Sequence, residues 1–190
     1  MIAGCRSDPI AGEADRLAAL LAPVSGATIA EIGAGSGSLT IALARRVDPR
    51  VHVLSTELGK ERVRELSVAV RQAGAANVSV LEGAERDTAL RADGCDAIIL
   101  RQTYHHFMHP KEMAASLFRS LRPGGLLAVI EHEPYSMGRP LTDVLPSRGG
   151  DGIRPAMLIE ELSAAGFRHL RTINRWSRGL YLVLMQKPPR

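Results

Sequence analysis

Glu31-Ile32-Gly33-Ala34-Gly35-Ser36-Gly37 joins a β-rich run, residues 28–33, to a helical pattern, residues 37–47. Glycines let the backbone take positive φ and let a ligand approach the chain closely. The helix that follows offers free N–H groups at its amino end. In a doubly wound sheet such a turn lies at the carboxyl edge of the strands, where ligands bind near the topological switch point. Spacing narrows the ligand. A dinucleotide fingerprint places glycines first, third and sixth. Here they fall first, third and fifth, and the sixth place is Ser38. No Gly-Lys-Ser/Thr follows, which excludes a P-loop.

Outward from this turn, short β-rich runs alternate with helical patterns, which predicts a parallel α/β sheet. Residues 11–22 read as a leading helix. Residues 51–56, 77–82, 95–101 and 126–132 read as further strands. Helices are expected over 58–73, 110–122 and 155–165, the last two opened by Pro110 and Pro155. Pro123-Gly124-Gly125 reads as a hard turn. Residues 168–174 and 179–186 read as two closing strands. The segment 133–154 has three prolines, four glycines and no clear period; a loop this long is expected to be a flap over the sheet's carboxyl edge.

Length and composition agree with one domain over residues 1–190: 45% of residues are apolar and 23% charged. No apolar run approaches the ~18 residues of a membrane span. The net charge of +4 comes from 24 bases, nearly all arginine, against 20 acids. The acids intersperse with the bases as far as Glu161, so a solvated surface is expected rather than a nucleic-acid patch. Cys5 and Cys95 are too few for a disulfide framework. Ile2-Ala3-Gly4-Cys5 is similar to a lipobox, but no apolar stretch precedes it. The default compartment is the cytoplasm.

The E-x-G-x-G-x-G pattern resembles the first motif of the class I S-adenosylmethionine-dependent methyltransferases. The likeness continues along the chain. Glu57 closes the second strand, where the family's acid holds both ribose hydroxyls, and a carboxylate suits a vicinal diol. Leu121-Arg122-Pro123-Gly124-Gly125 matches the family's turn before strand five. The resemblance implies S-adenosylmethionine as cofactor. It also implies a Rossmann-like seven-stranded sheet of order 3-2-1-4-5-7-6, with the last strand antiparallel. It places Glu31, Gly33, Ala34, Gly35, Ser36 and Gly37 around the methionine end, Glu57 on the ribose and Leu58 on the adenine. The family usually shows Gly-Asp-Ala after strand three. Here the run is Gly83-Ala84-Glu85, so Ala84 and Glu85 are expected in the pocket without the usual acid. Arg101, Gln102 and Thr103 are expected beside the methyl group.

The Asn/Asp-Pro-Pro-Tyr/Phe run of methyltransferases acting on planar amino nitrogens is missing after strand four. The first motif resembles that of the rRNA adenine dimethylases, but the strand-four run argues against that branch. Tyr104-His105-His106-Phe107 instead resembles a group of small bacterial methyltransferase-domain proteins. A hydroxyl acceptor benefits from a general base near neutral pKa, usually histidine. The candidates are His105, His106 and His132, with Tyr104 in the same set and Glu133 orienting the base or the substrate. The competing reading is that these histidines cap strand ends. The spacing of His105, His106 and His109 is no recognised ligand pattern and thiols are absent nearby, so no metal is expected. Arg139, Arg148 and Arg154 in or beside the flap would clamp an anionic group, and Tyr135 and Trp176 would supply an aromatic wall.

The expected activity is methyl transfer to a small molecule, at oxygen, with specificity from residues 1–22, the flap and the 103–109 loop. A membrane partner is not expected, nucleic acid is disfavoured, and the oligomeric state is not legible. The alternatives are a cofactor-binding protein without turnover and a nucleic-acid methyltransferase favoured by the basic tail.

Overall fold

The structure, a computed structural model, describes residues 9–135, 144–148 and 151–190. Ile2-Ala3-Gly4-Cys5 and Arg139 lie outside the described residues, as does the side chain of Arg148. Seven strands form one sheet: β1 (Thr28–Ile32), β2 (His52–Leu58), β3 (Val78–Gly83), β4 (Cys95–Arg101), β5 (Leu121–His132), β6 (Arg168–Ser177) and β7 (Leu180–Gln186). Their order is β3-β2-β1-β4-β5-β7-β6. The first five run parallel, and β7 runs antiparallel to both β5 and β6. The helices are α1 (Pro9–Leu21), α2 (Ser38–Ala44), α3 (Lys60–Gln72), α4 (Pro110–Ser120) and α5 (Pro155–Ala164). The expected fold is therefore the observed one.

The central strands are apolar without alternation because helices cover both faces. Successive side chains still point opposite ways. Ile98, Leu100, Leu127 and Val129 enter one core with Leu117 of α4 and Leu158 and Leu162 of α5. Ala97, Ile99, Ala128 and Ile130 enter the other with Leu17 of α1 and Leu39 and Leu43 of α2. Cys95 is buried in the first core, and burial pushes its thiol up to about 11, which leaves it inert at neutral pH.

Two elements depart from the sequence pattern. β5 begins at Leu121, not 126, because Gly124 N–H donates to Lys187 O at 2.8 Å and Lys187 N–H to Gly125 O at 3.0 Å. The Pro-Gly-Gly segment is thus an irregular start to the strand, with a register shift against β4 between Cys95 and Ala97. β6 runs to Ser177 with an irregularity after Ile173, where Arg175 takes φ 53°. That twist turns Trp176 inward. Its indole N–H donates to Glu13 at 2.8 Å, and the Arg16 guanidinium stacks 3.8 Å over the ring. Glu13 also accepts from Arg101 Nε at 2.7 Å. This buried carboxylate ties α1 to the ends of β4 and β6. Trp176 is therefore a plug in the core, not a wall residue of the site.

Candidate functional site

The turn after β1 is held by backbone. Gly33 and Ala34 N–H both donate to Thr56 O at 3.0 Å. Gly33, Gly35 and Gly37 all take positive φ. At Gly33 a Cβ would lie 2.4 Å from the Thr103 methyl, so this position must be glycine for two reasons. At Gly35 a Cβ would meet nothing within 4 Å, so the turn opens onto free space. Behind it, Glu31 is buried and accepts a short hydrogen bond from Thr40. Burial pushes its pKa up to about 7.

That free space is a cavity of about 550 Å³. Gly33, Gly35, Glu57, Leu58, Gly83, Ala84, Glu85, Gln102 and Thr103 line it. Glu57 is 6% exposed, accepting from Gly35 N–H at 2.7 Å and Leu58 N–H at 2.9 Å. Leu58 and Met108 are large apolar side chains left 47% and 46% exposed, and both belong to this wall. Exposed apolar groups facing a concave site are the expected receivers of a planar ring. Gln102 takes φ 51°, with its N–H fixed to Ile130 O at 2.8 Å. Left-handed backbone in a residue other than glycine costs on the order of 1 kcal/mol and gathers at functional sites.

Glu31, Ala34, Ser36, Gly37 and Arg101 do not line the cavity. Glu31 faces Thr40, Ser36 faces Ser38 and Arg101 is held by Glu13. Arg62, Asp87, Thr88 and Met113 line it without any signal in the motifs, and Phe107 joins them from the Tyr104-His105-His106-Phe107 run. Asp87 lies three residues beyond the place where the family's acid falls, on a turn closed by Ala84 N–H donating to Asp87 O at 2.9 Å. Hydrogen bonds from Ala89 N–H and Arg119 hold its carboxyl below the usual carboxylate range.

Of the acceptor-side candidates, His106 alone lines the cavity. It sits on the 3-10 turn Tyr104–His106 that follows β4, with its ring 3.9 Å from that of His105. His105 is buried. Its Nδ1 meets Glu131 Oε2 at 2.7 Å and its Nε2 meets Asp151 Oδ1 at 3.1 Å. His132 packs 5.1 Å from His105, centroid to centroid. Two expectations are corrected here. Tyr104 is fully buried in the core and donates its hydroxyl to Glu161 at 3.0 Å. Glu133 is exposed just beyond the end of β5, and the acid that orients a histidine is the buried Glu131.

The described ends of the segment 133–154 are stitched to β5. Tyr135 and Asp151 exchange backbone hydrogen bonds at 2.9 and 3.2 Å, and Ile153 N–H donates to His132 O at 3.0 Å. Tyr135 is half exposed beside His132, and the bond from its hydroxyl to Asp151 raises its pKa. Arg154 is exposed at the start of α5. Of the five arginines of the basic tail, Arg168, Arg171 and Arg175 lie exposed on the edge strand β6, Arg178 and Arg190 lie exposed outside it, and none lines the cavity. Charge on an edge strand has the independent use of discouraging strand pairing between molecules. Among the described residues, no helix is long and apolar enough to cross a membrane.

Residues 29–125 match a family described as a methyltransferase domain. An uncharacterized methyltransferase of Mycobacterium tuberculosis is 27% identical over 152 residues, which cover 78% of this chain and 58% of the relative. Nocamycin O-methyltransferase of Saccharothrix syringae is 28% identical over 116 residues, covering 61% of this chain and 41% of that protein. The chain thus spans well under two thirds of the length of these curated relatives. A SAM-dependent methyltransferase from Aquifex aeolicus superposes with a TM-score of 0.77 at 22% identity, over 95% of this chain and 94% of that one. The [4+2]-cyclase SpnF superposes at 0.73 with 19% identity, over 93% and 82%. These structures share the fold, and the second is named for a different chemistry, so function has to be argued from the site.

Proposed function

The chain belongs to the class I S-adenosylmethionine-dependent methyltransferases, and from that premise we propose that it methylates a small-molecule acceptor at oxygen. The observation that carries this reading is the wall composition. One cavity joins the open glycine turn and Glu57 on one side to His106 and Phe107 on the other.

The residues fit the cofactor. Gly33 and Gly35 leave room at the backbone, Glu57 presents a buried carboxylate to a diol, and Leu58 and Met108 offer apolar surface to adenine. When bound, S-adenosylmethionine supplies a methyl group already activated by its sulfonium. The chain supplies alignment and exclusion of water, which are worth several kcal/mol when the reactants are held in line. Phe107 and Met113 make the inner wall apolar. His106, at the same wall, takes the proton from an acceptor hydroxyl on an imidazole nitrogen. His105, anchored between Glu131 and Asp151, fixes the ring against which His106 packs at a tilt. The absence of tail arginines from the cavity supports a small acceptor over a nucleic acid.

The test is turnover of S-adenosylmethionine to S-adenosylhomocysteine across a panel of hydroxylated metabolites, with and without RNA. Turnover on a hydroxylated metabolite and none on RNA is the expected result. Turnover on RNA alone, with binding that weakens steeply in salt, contradicts the acceptor class. Cofactor binding with no turnover on any acceptor favours a binding protein.

A further inference from the structure

His132 poses a problem. Both of its ring nitrogens are buried and neither has a hydrogen-bond partner among the described residues. Buried polar atoms left unpaired are costly and rare. Nδ1 lies 4.0 Å from Glu131 Oε2 and Nε2 lies 3.8 Å from Asp151 Oδ2, too far for hydrogen bonds. A proton on His105 completes the contacts of that ring with Glu131 and Asp151 but does nothing for His132.

We infer that His105 Nδ1, His132 Nδ1 and Glu131 Oε2 form a centre for a divalent first-row transition cation. The donor atoms of these three residues lie within 4.8 Å of one another. Two imidazoles and one carboxylate are a common ligand set for zinc and its neighbours. Ligand atoms ~2.1 Å from a tetrahedral ion stand about 3.4 Å apart. The Glu131 oxygen is now 2.7 Å from one imidazole nitrogen and 4.0 Å from the other. Both separations stand within an ångström of that spacing.

The surroundings fit the assignment. With both rings bound through Nδ1, each Nε2 carries its proton, and the two oxygens of Asp151 already face the two Nε2 atoms, at 3.1 and 3.8 Å. A carboxylate on the far nitrogen of a ligating histidine is the usual outer support of such sites. The second oxygen of Glu131 is held by His105 N–H at 3.3 Å. Two neighbouring buried or half-buried carboxylates also gain a compensating charge. None of the three ligands lines the cavity. The ion would sit behind His106, clipping the ends of β4 and β5 to the segment that carries Asp151. A centre of this kind was not readable from His105, His106 and His109, because its other ligands lie on the next strand.

The experiment uses the full chain, stripped with a chelator and dialysed. It is titrated with Zn²⁺ against a chromophoric competitor, and with Co²⁺ for its visible spectrum. One Zn²⁺ per chain and an intense four-coordinate Co²⁺ band are expected. His132→Ala and Glu131→Gln each weaken Zn²⁺ binding by at least ~100-fold, and Asp151→Asn by ~10–100-fold. His106→Ala changes it less than twofold. If His132→Ala fails to fold, the Co²⁺ spectrum and the half-buried Asp151→Asn decide the matter. A wild-type chain without Zn²⁺ binding or Co²⁺ band overturns the proposal and leaves a bridging water at His132. Zn²⁺ binding lost in His106→Ala but intact in His132→Ala overturns this ligand set. The readout is metal content, so Zn²⁺ binding without any turnover faults the acceptor reading and not this one.

Discussion

The two halves of the sheet's carboxyl edge are built by different means. The half beyond β1, β2 and β3 is a backbone construction: three glycines at positive φ, two N–H groups on Thr56 O, and one carboxylate, Glu57, bridging Gly35 and Leu58. The half beyond β4 and β5 is a side-chain construction: His105, Glu131, His132 and Asp151 packed within hydrogen-bond or near hydrogen-bond reach, with the tilted ring of His106 in front. A backbone cradle accepts one ligand whatever the neighbouring side chains are. A side-chain cluster can be retuned residue by residue. The contrast teaches that the cofactor half should be intolerant of substitution in binding, and the acceptor half in rate.

Glu57→Ala breaks the cradle. It removes charge-assisted hydrogen bonds worth about 1.5–3 kcal/mol each, so affinity for S-adenosylhomocysteine should fall by ~100-fold or more. Isothermal titration calorimetry measures this; an affinity within threefold of wild type would mean that the cradle does not use its acid.

Glu31 sharpens the comparison from behind the turn. Its folded-state pKa of about 7 stands above the ordinary 4.5, so the native state holds the proton more tightly than the unfolded chain. The stability this gives is fully present below about pH 4.5 and is lost as pH rises through about 7. The full loss is on the order of 3 kcal/mol. Glu31→Gln, which keeps the neutral hydrogen-bonding form, should flatten the decline between pH 5 and 8 in urea unfolding. A parallel decline in the variant would place the titrating group elsewhere.

His106→Ala attacks the other half. Turnover should fall by ~100-fold, the lower range for a general base, while calorimetric cofactor affinity stays within twofold. Loss of affinity together with rate would erase the division of labour between the halves.

Gly33→Ala carries the smallest effect. The added methyl strains a φ of 70° and presses on Thr103, which sits at the junction of the two halves. A destabilisation of about 1–3 kcal/mol is expected from such a forced contact. Gly33→Ala combined with Thr103→Ser, which removes the nearer atom, should recover part of it in chemical denaturation. No recovery would show that backbone strain alone sets the cost.

The division also explains what the sequence revealed. The glycine turn and Glu57 were legible because backbone motifs are local, and E-x-G-x-G-x-G with an acid at the end of β2 spans only residues 31–57; the strand order came with the family resemblance that these motifs carry. Asp87 and Arg62 stayed hidden because their places depend on how the chain turns after β3 and along α3. Tyr104 read as chemistry because it adjoins two histidines, yet the 3-10 turn rotates it into the core while His106 faces the cavity. Glu131 and Glu133 flank His132 alike in sequence. β5 ends at His132, so Glu131 lies within the strand and is buried against His105, while Glu133 lies past its end and is exposed. Trp176 is apolar and lies next to a predicted turn, and only the backbone irregularity at Arg175 decides that it fills the core.

The most direct test of the account is a crystal structure with S-adenosylhomocysteine. The account predicts the nucleotide in the cavity against Gly33 and Gly35, its ribose hydroxyls within hydrogen-bond reach of Glu57 and its sulfur facing His106. A nucleotide bound elsewhere, or Glu57 still closed on Gly35 with no ribose contact, would contradict it.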